Sequence, residues 1–150
     1  MKLGEALKVQ NNLITKVNHI RKLIFKCLKA QEGDTPPFKV DELYKEYVEL
    51  NIKIRQLKTS ILIANSKIQI SSERSMMESI VEKDVWLMQQ EMLSSIIENG
   101  IITNSYNHLI KDISLVEVTE YEAQYNKVCE VIWTLDIKIQ QQNWLSDIET

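Results

Sequence analysis

Glycine and proline are scarce in this sequence, with three and two residues respectively among 150. The many tight turns of a β-rich protein usually draw on these residues, so the scarcity argues against such a fold and favours a few long helices. The length is typical of one domain. We predict a single helical domain over residues 1–150 that buries its core without disulfides or metals.

Cysteines and long apolar runs are also few. Cys27 and Cys129 are too far apart in sequence for a disulfide framework or a CxxC pair, so we interpret both as small core residues. The longest uninterrupted apolar runs, such as Ile61–Ala64, have only four residues, far fewer than a membrane span needs. The first residues also lack the apolar core of a signal peptide. We therefore predict a cytoplasmic protein without a membrane partner.

Motifs for metal, phosphate or nucleophilic chemistry are missing as well. His19 and His108 are isolated, and the sequence contains no HExxH motif, no Glu-x-x-His pair and no Cys/His cluster. These absences disfavour zinc and ferritin-like sites. No glycine-rich phosphate loop is present. We predict no resident cofactor and expect a protein that is not an enzyme.

A regular apolar repeat, with spacings of three and four residues, occupies Val40–Asn65. Such a repeat forms the seam along which one helix packs against another. Its members are Val40, Leu43, Tyr47, Leu50, Ile54, Leu57, Ile61 and Ala64. Residues 2–30 show the same spacing, and Gly33 with Pro36–Pro37 separates the two helices. The pattern predicts a long antiparallel helical hairpin, similar to a coiled coil.

A third helix is predicted over Met76–Glu98. Either Ser72 or Ser75 could cap its start, and Ser75 would form a capping box with Glu78. Asn99–Gly100 ends the helix. Its predicted core face repeats at helical spacing and consists of Met77, Val81, Val85, Met88, Met92 and Ile96. Four of the five methionines lie in this helix, which we interpret as adaptable core.

A fourth helix is predicted to end near Gln142, with Thr119 and Glu122 as its capping box. Its apolar face consists of Tyr121, Tyr125, Val128, Ile132, Leu135, Ile139 and Gln142. Residues 67–71 alternate polar and apolar and read as a short strand, with Ile113–Val118 as its antiparallel partner. The predicted fold is therefore mainly α, a hairpin plus two further helices, with a small two-stranded β ribbon.

Charge is distributed unevenly along the chain, although the net charge is only −3. Residues 1–30 contain seven basic residues and one acidic residue, while residues 112–150 contain two basic and eight acidic residues. We favour attraction between oppositely charged helices. The alternative is a strip of Arg21, Lys22 and Lys29 that faces nucleic acid or anionic lipid, but no nucleic-acid-binding motif accompanies it.

Four groups of residues carry a family resemblance, and in chain order they are Met1–Leu7, Gln31–Asp34, Lys83–Asp84, and Asp136, Gln140 and Asn143–Trp144. They resemble the septicolysin-like family of small, mostly uncharacterised bacterial proteins, over nearly the whole chain. The resemblance implies a mostly helical subunit that assembles as a homo-oligomer. The family name implies a cytolysin, but no secretion signal, membrane-inserting hairpin or tryptophan-rich toxin tip is present. Lys83 departs from the family pattern, which has an arginine there.

Eight polar residues match this family, and they are Glu5, Glu32, Asp34, Asn65, Asp84, Asp136, Gln140 and Asn143. The first five are the candidates for a binding site. Converging carboxylates bind divalent cations or hold a proton for general acid catalysis. Glu5 is the only acidic residue among the first thirty, and Asp84 borders an apolar face. These two are the strongest candidates, although helix caps, turns and buried hydrogen bonds explain most such residues.

Three functions follow from these patterns. The first is a homo-oligomeric structural or interaction protein, because helices with such wide apolar faces would otherwise expose a large patch. The second is an enzyme or a ligand- or metal-binding protein with a carboxylate site around Glu5 and Asp84. The third is a nucleic-acid binder that uses the basic first helix, although no recognised nucleic-acid-binding motif accompanies that helix.

Overall fold

The computed structural model describes residues 1–102 and 111–149. Its helices are α1 (Leu3–Cys27), α2 (Val40–Lys67), α3 (Met76–Gly100) and α4 (Val118–Leu145), and its strands are β1 (Gln69–Ser71) and β2 (Arg74–Ser75). The predicted mainly α fold with a small two-stranded ribbon is confirmed. The chain divides into two compact units, described separately below: Met1–Ile68 with residues 142 onward, and Gln69–Gln141. The single domain over 1–150 stays a prediction.

Helices α1 and α2 form the predicted antiparallel hairpin in the first unit. Lys16 Nζ lies 3.3 Å from Glu46 Oε1, whereas Val9, nearer the start of α1, lies beside Leu57, nearer the end of α2. The buried core between them consists of Ile20, Cys27, Leu43 and Leu50. Every seam position predicted in α2 is buried or half-buried, because the three-four spacing keeps those side chains on one face.

The first helix is shorter than predicted. It ends at Cys27 with Leu28 as its C-cap, three residues before the predicted end. The loop that follows contains Gly33 at a φ of +92°, a left-handed conformation that glycine adopts without steric strain. The left-handed conformation predicted for Gly33 is confirmed, but the residue lies six positions after the end of α1 and does not terminate the helix.

The prediction that residues 67–71 pair with a strand at Ile113–Val118 is wrong. Strand β1 pairs antiparallel with β2, and Gln69 faces Ser75, while Ile113–Val118 contains no strand. A two-residue connection closes the β1–β2 hairpin, and closing such a short loop loses far less chain entropy than joining strands forty residues apart. Pairing with the adjacent strand β2 therefore supplies hydrogen-bond partners for the backbone of β1.

The capping box predicted for α4 is also wrong. The helix begins one residue before Thr119, at Val118, and the Tyr121 N–H donates to the Glu117 carbonyl at 3.4 Å. Glu117 rather than Thr119 therefore provides the first helical acceptor. Thr119 already lies in the first turn, where its side chain no longer occupies the N-cap position.

In the second unit, α3 and α4 are antiparallel and joined by two polar links. Lys83 Nζ donates to Asp136 Oδ1 at 2.8 Å, and Gln90 Nε2 lies 3.0 Å from Cys129 Sγ. The donors are seven residues apart on α3, and their partners are seven apart on α4 in the opposite order. A hydrogen bond from Tyr125 to the Cys129 side chain also raises the pKa of the tyrosine hydroxyl above 10.0.

The predicted capping box at the start of α3 is confirmed. The Glu78 N–H donates to Ser75 Oγ at 3.2 Å, and the Ser75 N–H donates to Glu78 Oε2 at 2.7 Å. Two N–H groups that would lack helical partners are satisfied in this way. These hydrogen bonds hold the pKa of Glu78 below its ordinary value of 4.5.

We expect Ser75→Ala to lower the free energy of unfolding by about 1 kcal/mol, because the Glu78 N–H loses its acceptor at the helix start. Urea unfolding followed by circular dichroism measures the change. The matched control is Ser72→Ala, at an exposed serine in the β1–β2 turn. Equal destabilisation by the two substitutions would contradict the role of the capping box.

The same capping box gives a pH dependence. Because the pKa of Glu78 is lowered in the folded protein, its charged carboxylate stabilises the fold. This stabilisation is fully present above pH 4.5 and is lost as the pH falls through the folded-state pKa. We therefore expect a Glu78→Gln protein to lose less stability than the wild type when the pH is lowered from 5 to below the folded-state pKa of Glu78. Thermal unfolding across that range measures the difference, and parallel pH profiles would contradict it.

Candidate interaction surface

The apolar face predicted as the core of α3 points to solvent. Met77, Val81, Val85, Met88 and Met92, together called the outer stripe, are each between 42% and 71% exposed. Ile96, the last member of the predicted face, is half-buried. At 3.6 residues per turn, the outer stripe lies on roughly the opposite side of α3 from the residues that contact α4. The prediction that this face forms the core is therefore wrong.

Polar side chains occupy the inner side of α3 because the fold supplies their partners. Ser79 is fully buried, and its Oγ donates to the Ser75 carbonyl at 3.1 Å. Lys83 and Gln90 reach Asp136 and Cys129 on α4. Buried polar groups with hydrogen-bond partners are tolerated, whereas unpaired ones are costly. The three residues thus define the inner side of α3, with buried Leu93 among them.

Acidic residues border the outer stripe. Asp84 and Glu91 lie along one edge and are exposed, and neither forms an ion pair within residues 1–102 and 111–149. Glu82, nearer the other edge, pairs with Arg74. The helix as a whole contains five acidic residues and one basic residue, so an apolar surface with an acidic rim results.

Two of the predicted site residues lie far from Glu5. The Glu5 carboxylate accepts the Lys2 N–H at 3.0 Å and so caps the start of α1. Glu32 and Asp34 are exposed in the α1–α2 loop. This loop follows the end of α1, which is about 33 Å along the helix from Glu5. The Asp34 N–H donates to the Gln31 carbonyl at 3.0 Å. These carboxylates do not form one cluster.

The other two candidates have different surroundings. Asn65 lies in the last turn of α2, and its Oδ1 atom is buried without a hydrogen-bond partner among the described residues. Asp84 belongs to the second unit, where it borders the outer stripe. Within the part of the chain that the structure describes, no three His, Cys, Asp or Glu side chains are grouped to hold a metal ion. The carboxylate site around Glu5 and Asp84 stays a prediction.

The two ends of the described chain meet in the first unit, in an arrangement we call the terminal clasp. The Leu3 N–H donates to the Ser146 carbonyl at 3.0 Å, and the Ile148 N–H donates to the Met1 carbonyl at 2.9 Å. Lys2 Nζ lies 2.7 Å from Asp147 Oδ2. This ion pair and the N-terminal amine hold the pKa of Asp147 below its ordinary value.

Trp144 packs at this clasp against the start of α1. A Cβ atom at Gly4 would lie 3.1 Å from the Asn143 carbonyl oxygen and 3.1 Å from Trp144 Cδ2, tighter than ordinary contacts, so a larger residue would require these neighbours to move. Lys8 Nζ lies 4.8 Å from the Trp144 ring centroid, in cation–π geometry. The opening heptapeptide and Asn143–Trp144, singled out from the sequence as separate motifs, are thus one contact.

Comparisons with known proteins agree with this architecture. A family profile described as a family of unknown function, DUF6847, matches residues 10–148. The chain belongs to the DUF6847 family. A comparison with functionally curated proteins gave no match. Nothing in these comparisons bears on the septicolysin-like resemblance, which stays a prediction.

One solved structure resembles the DUF6847 chain. It is the crystal structure of a functionally unknown conserved protein from Corynebacterium diphtheriae, with 23% sequence identity, a TM-score of 0.91 and coverage of 99% of each chain. At this identity the likeness establishes the fold alone. None of the helices in the described part of the chain combines the length and apolarity that crossing a bilayer requires.

We expect Gly4→Leu to release the terminal clasp, because its side chain would occupy the space of the Trp144 ring. Hydrogen exchange measured by mass spectrometry should become faster in peptides covering residues 143–149, while the core of the α1–α2 hairpin keeps its protection. The control is Asn12→Leu, which adds the same side chain at an exposed position of α1. Unchanged exchange in Gly4→Leu would show that the chain ends are held without this contact.

Proposed function

We propose that this DUF6847 protein is a homo-oligomeric structural or interaction protein whose subunits associate through the outer stripe of α3. The observation that carries the proposal is the exposure of five apolar side chains at core-like spacing on one face of a helix. The opposite face of α3 is already occupied by its contacts with α4. A second apolar face on one helix is expected where another helix covers it.

The exposure of this apolar surface to water supports the same proposal. Scattered apolar residues are normal on a protein surface, but contiguous apolar patches mark interaction sites. Met77, Met88 and Met92 supply flexible, polarisable side chains that fit an irregular partner surface. Burying them in a subunit contact would remove from water the apolar area that α4 leaves uncovered.

The cytoplasmic location and the septicolysin-like resemblance are kept within this proposal, and both rest on the sequence alone. The cytolysin that the family name implies is not part of it. The stripe lies on a helix with five acidic residues and one basic residue, a composition that favours a protein partner over an anionic lipid surface.

The proposal is tested by placing a charge at the centre of the stripe. We expect the wild type to be oligomeric and Met88→Glu to weaken its association at least about tenfold, equivalent to about 1.4 kcal/mol, because burying an unpaired carboxylate is unfavourable. Met88 is 71% exposed, so the helical content of the subunit should not change. Sedimentation velocity over a concentration series measures the association, and circular dichroism measures the helix.

The matched control is Gln89→Glu, which introduces the same side chain at the neighbouring exposed position, away from the centre of the stripe. It should associate like the wild type. A wild-type protein that sediments as a monomer at tens of micromolar would refute the proposal. So would an oligomer that Met88→Glu leaves intact.

A further inference from the structure

The acidic rim limits what can cover the outer stripe. If two copies packed stripe against stripe with their α3 helices antiparallel about a twofold axis, each rim would face its own counterpart. Asp84 and Glu91 would then be brought close to the same residues of the other copy, without an ion-pair partner of their own in residues 1–102 and 111–149. Like charges at helix–helix rims are unfavourable. The stripe therefore fits an apolar surface with basic edges better than it fits itself.

Helix α1 presents such a surface beside its contact with α2. Ile14, Arg21 and Leu28 are seven residues apart, and Phe25 follows Arg21 by one helical turn, so the four lie along one side of the helix. We call them the basic row. Ile14, Phe25 and Leu28 are between 36% and 65% exposed. The row is thus an exposed surface of three apolar side chains with one arginine among them.

The charge of α1 is opposite to that of α3. Helix α1 contains five basic residues and one acidic residue, the reverse of α3. Lys16 is paired with Glu46 and Lys8 lies over Trp144. By contrast, Arg21 and Lys22 are exposed and form no ion pair among the described residues. Charges without a partner are therefore present at both surfaces.

The two surfaces also match in length. From Met77 to Met92 the outer stripe is about 22 Å long, and from Ile14 to Leu28 the basic row is about 21 Å long, at 1.5 Å per residue. Side-by-side packing of two such helices would bury both apolar rows and place acidic and basic rims next to each other.

We infer that the outer stripe of α3 in one copy of this protein packs against the basic row of α1 in another copy. The inference rests on the proposed function and adds the identity of the covering surface. Because the two surfaces differ, the contact is heterologous, and its repetition gives a closed ring or an extended filament. The rims attract one another through exposed charges, so association should weaken as salt concentration rises.

Two charge-reversed proteins test the inference. The acidic-rim variant carries Asp84→Lys and Glu91→Lys, and the basic-row variant carries Arg21→Glu and Lys22→Glu. All four positions are exposed, and circular dichroism should confirm that both variants fold. In a heterologous contact, copies of a single variant would bring like charges on α3 and α1 next to each other. We therefore expect each variant alone to self-associate at least about tenfold more weakly than the wild type.

Mixing the two variants is the deciding measurement. The reversed α3 of the first is complementary to the reversed α1 of the second, so an equimolar mixture should recover wild-type association. Sedimentation velocity at low and high salt measures all three samples. Recovery in the mixture, with neither variant associating alone, supports the inference.

Other outcomes overturn it in distinguishable ways. If both variants associate like the wild type and association strengthens with salt, the stripe packs against itself. If the wild type binds duplex DNA at low salt, and the basic-row variant loses this binding but keeps wild-type association, the row binds nucleic acid. A monomeric wild type refutes the proposed function, whereas an oligomer with either of the first two results refutes only this contact.

Discussion

Helix α3 leaves the apolar outer stripe exposed on one side and contacts α4 with the opposite side. Polar groups decide which side that is. Ser79 is buried and satisfied within its own helix by the Ser75 carbonyl, whereas the half-buried Lys83 and Gln90 depend on Asp136 and Cys129 of α4. These two links from α4 set the rotation of α3, and the outer stripe then faces away from α4.

The hairpin of α1 and α2 depends on simpler physics. Its seam is apolar along its length, so burial of hydrophobic area is enough to choose the contact face. The terminal clasp then ties the start of α1 to residues 143–148 through backbone hydrogen bonds and one close approach at Gly4. Glu5 acts there as a helix cap, which explains an isolated carboxylate without requiring a ligand.

The arrangement of α3 changes how the charge pattern is understood. The sequence pairs a basic first segment with acidic later segments, and attraction within one fold is the simplest explanation of that pattern. In the part of the chain that the structure describes, one such contact is present, the ion pair of Lys2 with Asp147. The structure leaves Arg21 and Lys22 on α1, and Asp84 and Glu91 on α3, exposed and without ion pairs among the described residues. Arg21 lies within the exposed row of α1, and Asp84 and Glu91 border the outer stripe. Opposite charge beside uncovered apolar surface is a combination that association between copies would satisfy.

The sequence alone determined the helical class, the α1–α2 hairpin and the cap at Ser75, because three-four periodicity and capping residues act over a few neighbouring positions. It correctly chose the seam of α2 and the apolar face of α4, where Val128, Leu135 and Ile139 are buried. It placed the core face of α3 on the wrong side, and it paired β1 with a distant segment. Both errors concern contacts whose energy depends on a partner elsewhere in the fold. Only the tertiary structure showed that Asp136 and Cys129 lie where Lys83 and Gln90 need them, and that the most regular apolar row of α3 therefore faces outward.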